Sequence, residues 1–349
     1  MTAAPPREAD RPGAPRPVAV GPAAPPARRR RRLLLGALVA VTLALVAASL
    51  ATGGYDITLR GLLTDPAQRE MFLISRVPRT LALVFSAVAM GIGGVVVQLV
   101  TQNRFVEPTT AGTTQWAGLG FVVMLVLVPG APPLVRMLAC SAFAFVGTML
   151  FLGVLRGVRA RGGLVVPLVG IMLGAVVGSG TLLLATTFDL QQSLGAWRSG
   201  GFSSVVRGFY EPLWAVAAIA VVTVVVADRL TVVGLGRDVA TSLGLRYRRT
   251  VVLGVSLVAL SSGVTSVVVG FLPFLGLIVP NVVSMLLGDD VRRNLPWVAL
   301  LSVALLVACD LVGRTVVAPM EIPASVVLGV VGAAAFLALV LARGPRAAR

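Results

Sequence analysis

Between Gly270 and Pro296 the chain reads GFLPFLGLIVPNVVSMLLGDDVRRNLP, an apolar run broken by Pro273, Gly276 and Pro280 and closed by Gly288, two aspartates and two arginines. Helix breakers free backbone groups, and at membrane depth these are tolerated only where neighbouring helices or a cavity satisfy them again. The stretch therefore demands a packed bundle of spans and rules out an isolated anchor. Composition agrees: 57% hydrophobic residues, 13% charged residues and a mean hydropathy of +0.93 lie outside the soluble globular range. The expected fold class is an all-α polytopic membrane protein.

Two absences narrow the function. All 30 basic residues are arginine, because the chain has no lysine, and it has no histidine either. Without lysine there is no phosphate-cradling P-loop, so any ATP chemistry has to come from a partner. Without histidine the commonest general base and metal ligand are missing, and Ser179 between Gly178 and Gly180 reads as close helix packing, not as a nucleophile. Cys140 and Cys309 sit in apolar runs with no metal or redox spacing and read as small core residues; their redox state stays open. Much of the formal net charge of +16 lies in an N-terminal tail, which points to a solvated segment and not to nucleic-acid binding.

Residues 1–32, rich in Pro, Ala and Arg, are expected to be a disordered cytoplasmic tail. The membrane-spanning region is expected over 33–343, with a short cytoplasmic tail at 344–349. Its first span runs from Leu33 to Thr52, too long for a signal-peptide core, and Arg28 to Arg32 hold its start in the cytoplasm. Further spans are predicted at 80–101, 108–128, 134–155, 164–186, 211–228, 250–270, 273–287, 295–315 and 321–342. That makes about ten, several short or broken, with both termini cytoplasmic. The same topology leaves Arg60, Arg69, Arg76, Arg79, Arg136, Arg198, Arg207 and Arg314 outside, against the positive-inside rule, so these arginines need another explanation.

Arg76 and Arg79, flanking Pro78 where the second span begins, aim two guanidinium groups at the outer surface. They suit either acidic side chains of an extracytoplasmic partner or lipid phosphates. Asp310 and Arg314, four residues apart, share a helix face as an ion pair, with Glu321 just beyond Pro319. A proton-coupled carrier would use Asp310, but no second intramembrane acid or histidine offers a relay, so a structural pair is the better reading. The cytoplasmic loop 231–249 contains a short helix between Gly236 and Gly244, carrying Arg237, Asp238, Ala240 and Leu243, of a kind that fits a groove in a partner or serves as an amphipathic connector. The segment from Asp189 to Tyr210 reads either as an interfacial helix beside a substrate path or, as is commoner, as a connection whose Trp197 and Tyr210 are aromatic-belt anchors. An intramembrane enzyme is the third possibility, and no acid-base pair supports it.

Several motifs occur together and in order: Arg76-x-Pro78-Arg79-Thr80, Gln98 with Asn103 and Pro108, Gly236-x-x-x-Ala240-x-x-Leu243-Gly244, Gly276 to Pro280, Gly288-Asp289, Leu295-Pro296, Asp310-x-x-x-Arg314 and Glu321-Ile322-Pro323. In combination, over Leu33 to Arg343, they resemble the membrane permease subunits of bacterial ABC importers for iron-siderophores and vitamin B12, the FecCD type. The resemblance implies a ten-helix subunit in a bacterial cell membrane that pairs with a copy or a paralogue, with no ATPase site of its own. Two ATPase subunits carrying ATP and Mg would bind below, and an extracytoplasmic substrate-binding protein would deliver the substrate. It further implies that Arg76, Arg79 and Arg314 face carboxylates of the binding protein, that Gly236 to Gly244 couple to the ATPase, and that Gly162, Gly163 and Leu164 form a cytoplasmic gate. Asn281 departs from a common histidine, Ala324 from a glycine and Ala334 from a frequent proline. The stretch from Thr101 to Thr113, with Pro273, Phe274, Leu275 and Asn281, looks most like the petrobactin and catecholate-siderophore branch; vitamin B12 and haem are the alternative substrates within the family.

Overall fold

The computed structural model describes residues 27–53, 55, 57–158, 165–318 and 320–342. The tail to residue 26, the expected gate at Gly162, Gly163 and Leu164, and the chain from 343 onward lie outside them. Contacts divide the chain into two compact units, one ending at Ala37 and one beginning at Leu38. Of the first, the described part is the arginine-rich opening of a helix; the second carries every feature considered below.

Among the described residues all regular structure is helical. Helix α1 (Ala27–Ala51) is followed by α2 (Leu59–Thr64), α3 (Pro66–Met71), a π-helical turn over Phe72–Arg76 and α4 (Val77–Thr101). From Pro66 to Thr101 the helix is continuous over 36 residues, so the span expected at residue 80 begins earlier. Its start is set locally: the Asp65 side chain accepts the Ala67 N–H at 2.9 Å and Pro66 fills the first helical position. Next come α5 (Thr113–Leu127), α6 (Pro133–Gly157), α7 (Val165–Thr187), α8 (Gln191–Ser199), and the pair α9 (Leu213–Val225) and α10 (Ala227–Gly234), which bend by 63°. The chain closes with α11 (Arg237–Ser242), α12 (Tyr247–Val268), α13 (Leu275–Leu287), α14 (Val291–Thr315) and α15 (Ala324–Ala342).

Six of these helical stretches are long and apolar enough to cross a membrane, or seven if the bent pair is one span. Apolar but shorter helices lie at Thr113–Leu127, Leu275–Leu287 and Ala324–Leu339, matching the spans expected from 108, 273 and 321. The first two start late because 102–112 and 269–274 are irregular.

Helix α4 is the central element. Where it crosses α13, a Cβ on Gly94 would sit 2.0 Å from the Gly276 carbonyl oxygen, so the crossing depends on the missing side chain. Lower on α4, Val96, Val97 and Val100 join Phe151 of α6, Leu230 and Val233 of α10, and Val255 and Val258 of α12 in one core. That burial corrects the expected loop boundary at Thr231: Leu230 and Val233 keep one face of α10 in the core, and the chain stays helical to Gly234.

Candidate functional site

The break between α12 and α13 is closed by side chains from elsewhere. Pro280 lies inside α13 and has no N–H for the Gly276 carbonyl; Gln98 Nε2 donates to that oxygen at 3.3 Å instead. Asn281 Nδ2 donates to the carbonyls of Leu277 and Arg104, each at 2.7 Å, tying α13 to the chain just beyond α4. Phe274, which precedes α13, takes φ of +63°, a region few non-glycine residues enter.

Glu107 secures that turn. Its Oε1 accepts the Phe274 N–H at 2.9 Å and also the Thr109 hydroxyl, while Oε2 has no hydrogen-bond partner among the described residues. The residue is 0% exposed. A carboxylate at the start of α13 satisfies an orphan N–H and meets the positive end of the helix dipole. This corrects the expectation that no second intramembrane acid exists. The available signal was a lone acid before Pro108, in a stretch from Phe105 to Val135 with no other charge.

At one end of the helices, three arginines are spent inside the chain. Arg76 Nη1 donates to the carbonyls of Leu50 at 3.1 Å and Ala51 at 2.7 Å, and its Nη2 to Tyr55, which caps the last turn of α1. Arg314 adds to that cap, donating to the Thr52 carbonyl and to Ser49 Oγ, both at 2.9 Å. Arg314 and Arg79 each pair with Asp310 at 2.9 Å, and Arg79 also meets Glu321 at 2.9 Å. Burial opposes charge on Glu321, yet hydrogen bonds from Ser203 and Arg79, with the field of Arg79, hold its carboxyl below the ordinary glutamate range. The expectation that Arg76, Arg79 and Arg314 point outward is therefore corrected. Arg76 and Arg314 are buried, and all three guanidinium groups face carbonyls and carboxylates of their own chain.

The opposite end carries the α10–α11 loop. Gly236 and Gly244 both have positive φ and bracket α11. Gly244 N–H donates to Thr241 and Leu245 N–H to Ala240, both at 2.9 Å, the paired bonds of a Schellman cap, with Gly244 in the left-handed position. Within this helix Ala240 is 0% exposed, whereas Val239 is 47% and Leu243 65% exposed. Ala240 thus anchors the helix and Leu243 presents it. Arg237, Asp238 and Gly244 are also exposed. Just inside lies a cavity of about 380 Å³, lined by Gln98, Gln102, Asn281 and Asn294 and bounded by Gly234 and Leu235.

Helix α8 departs from its expected place at the interface. Leu194 is buried with Ala185 and Val122, and Trp197 stacks on Phe121 with ring centroids 6.0 Å apart. Trp197 Nε1 donates to the Ser266 carbonyl at 2.8 Å, so this ring is a packing element and not an aromatic-belt anchor. At the end of α8, Ser325 Oγ donates to the carbonyls of Ser199 and Gly200, joining α8 to the start of α15.

With this geometry in hand, comparison with known proteins becomes informative. The petrobactin import system permease protein FatD of Bacillus anthracis is 46% identical over 318 residues, which cover 90% of this chain and 93% of that protein. The petrobactin import system permease protein YclN of Bacillus subtilis is 39% identical over 269 residues, 77% of this chain and 85% of its own length. Among solved structures, a metal-chelate type ABC transporter in an inward-facing conformation superposes with a TM-score of 0.75 at 22% identity, covering 89% of this chain and 99% of its own, which shows a shared fold. The model of the FecCD transport family matches residues 38–342, the whole region that carries the motifs, the broken helices and both ends described above; this multi-pass membrane protein belongs to that family.

Proposed function

We propose that the chain is the permease subunit of an ABC importer that carries a ferric siderophore into a bacterial cytoplasm. The observation that carries this reading is the 46% identity, over nine-tenths of the chain, to a permease named for petrobactin import. The chain works with a second permease subunit, identical or paralogous, and with an extracytoplasmic binding protein. ATP and Mg belong to two cytoplasmic ATPase subunits. The ten apolar segments, counting the bent pair once and including the short ones, suit ten spans with both termini inside.

Mechanistically the protein needs no covalent step. Its work is alternating access, in which ATP-driven movement of the partner changes the relative stability of two helix packings. Leu235, Val239 and Leu243, exposed beside the Schellman-capped turn, form the surface offered to the ATPase. Arg76, Arg79, Asp310 and Arg314 hold the outer rim in shape, so a docked binding protein meets that rim through the residues around them. The rival carrier driven by protons through Asp310 is disfavoured because Asp310 is committed to two arginines.

Uptake of iron-55 from a panel of ferric siderophores, in a strain lacking this gene with and without the restored chain, tests the reading. Energy-dependent uptake of at least one ferric catecholate is expected. Uptake that persists when the ATPase is inactivated but collapses with the proton gradient would sink it.

A further inference from the structure

The glycine stripe of α7 receives a line of polar groups. A Cβ on Gly170 would lie 2.0 Å from the Thr110 carbonyl, one on Gly174 3.3 Å from the Gln115 amide carbon, and one on Gly178 3.6 Å from Arg198 Nη2. Gly178 lies roughly 14 Å below the Thr187 end of α7 at 1.5 Å per residue. Arg198 is reached there because α8 turns back along α7, with Leu194 against Ala185 and Trp197 against Gly118. Its guanidinium is therefore at membrane depth, not at the outer surface where the sequence suggested.

Arg198 is exposed, and among the described residues it has no ion pair or hydrogen bond. Arg79 and Arg314, by contrast, are both paired with Asp310. An arginine at mid-membrane is costly against acyl chains, whereas one lining a water-filled route is not. On its own helix the exposed neighbours are small or polar, Gln192, Gly195 and Ser199, which fits the second case. Gln115 Oε1, next along the stripe, is buried without a partner.

We propose that Arg198 is a charge-selecting residue of the permeation path, whose guanidinium hydrogen-bonds the anionic oxygens of an iron chelate in transit, with the Gln115 amide beside it. Guanidinium suits this because its fork donates to carboxylate and phenolate oxygens and keeps its charge at any physiological pH. The inference rests on the importer reading and adds its substrate class: a net-anionic chelate.

Two measurements on the full importer in cells test it. The first is iron-55 uptake from a trianionic ferric tris-catecholate and from an uncharged ferric trihydroxamate, in wild type, R198Q and R198K. A charge-assisted hydrogen bond predicts about tenfold slower maximal uptake of the anion by R198Q, with R198K within about threefold of wild type. Half-saturation stays unchanged, because the binding protein sets it, and any uptake of the uncharged chelate is unaltered. The second is labelling of R198C in the assembled importer by a membrane-impermeant thiol reagent, which is expected because the position faces a water-filled route. Uptake of the anion by R198Q at the wild-type rate, or an unlabelled R198C in assembled importer, overturns the proposal and leaves the importer reading standing. A wild type that carries no ferric chelate of either charge overturns both.

Discussion

At the end where α1 meets α4 and α14, Asp310 and Arg314 expose 3% and 5% of their side chains; at the opposite end Arg292 and Asp228 expose 69% and 63%. Both pairs are close, yet they have different consequences. The buried pair belongs to a network in which Arg79 bridges Asp310 and Glu321 and Arg76 caps α1, so each of these side chains finds its partners within the chain. The exposed pair, with Arg104–Asp289 and Arg293–Asp290, decorates a surface from which Leu235, Val239 and Leu243 project. Charge fixes shape at the first end, and apolar side chains offer contact at the second. Clusters of the same residue types thus serve different purposes, and burial decides which.

The comparison breaks most decisively at Asp310. Replacing it with Ala leaves the buried Arg314 without its carboxylate and Arg79 with Glu321 alone, and the expected cost is about 3–5 kcal/mol. Thermal unfolding of the purified protein in detergent should show this as a large fall in midpoint or a loss of folded yield; a midpoint equal to wild type would mean the network is not structural. A double change of Val239 and Leu243 to Asp should act in the opposite way. Both side chains face outward, so stability moves by no more than about 0.5 kcal/mol. ATP-driven uptake and co-purification of the ATPase should be lost, and full retention of both would reduce α11 to a connector. Ala240 is the wrong residue for that test, because a change there would disturb packing as well as docking.

The smallest effect is expected at Arg292. Changing it to Ala removes an exposed ion pair worth about 0–1 kcal/mol, which salt screens further. Unfolding and uptake close to wild type, measured at low and high ionic strength, would sharpen the contrast with Asp310. A drop as large as that of Asp310→Ala would erase it.

Much of this was legible in the sequence because it is carried by local patterns. Apolar runs mark membrane helices wherever they occur, Gly236 and Gly244 mark the ends of a short helix, and Pro280 marks a freed carbonyl. Their spacing with Gln98 carried part of the family resemblance, and in the structure the Gln98 and Asn281 amides bond backbone carbonyls around the break. The sequence misled where the answer depended on direction and depth. Arg76 and Arg314 were read as outward because they follow or precede spans, but their side chains turn back to the α1 carbonyls. Trp197 was read as an interfacial anchor because α8 follows a span, but α8 re-enters the bundle.

By itself, then, the sequence determined that the chain is a polytopic helical membrane protein with no lysine for a P-loop, where its helices break, and which residue types stand at the breaks. These follow from hydropathy, from the backbone chemistry of proline and glycine, and from the absence of lysine and histidine, none of which needs a third dimension. Only the tertiary structure decided which charges are compensated. Whether Arg314 has a carboxylate, Glu107 an amide and Arg198 neither depends on segments far apart in the chain meeting at one depth, and the energy of a charge is set by what lies within a few ångströms of it.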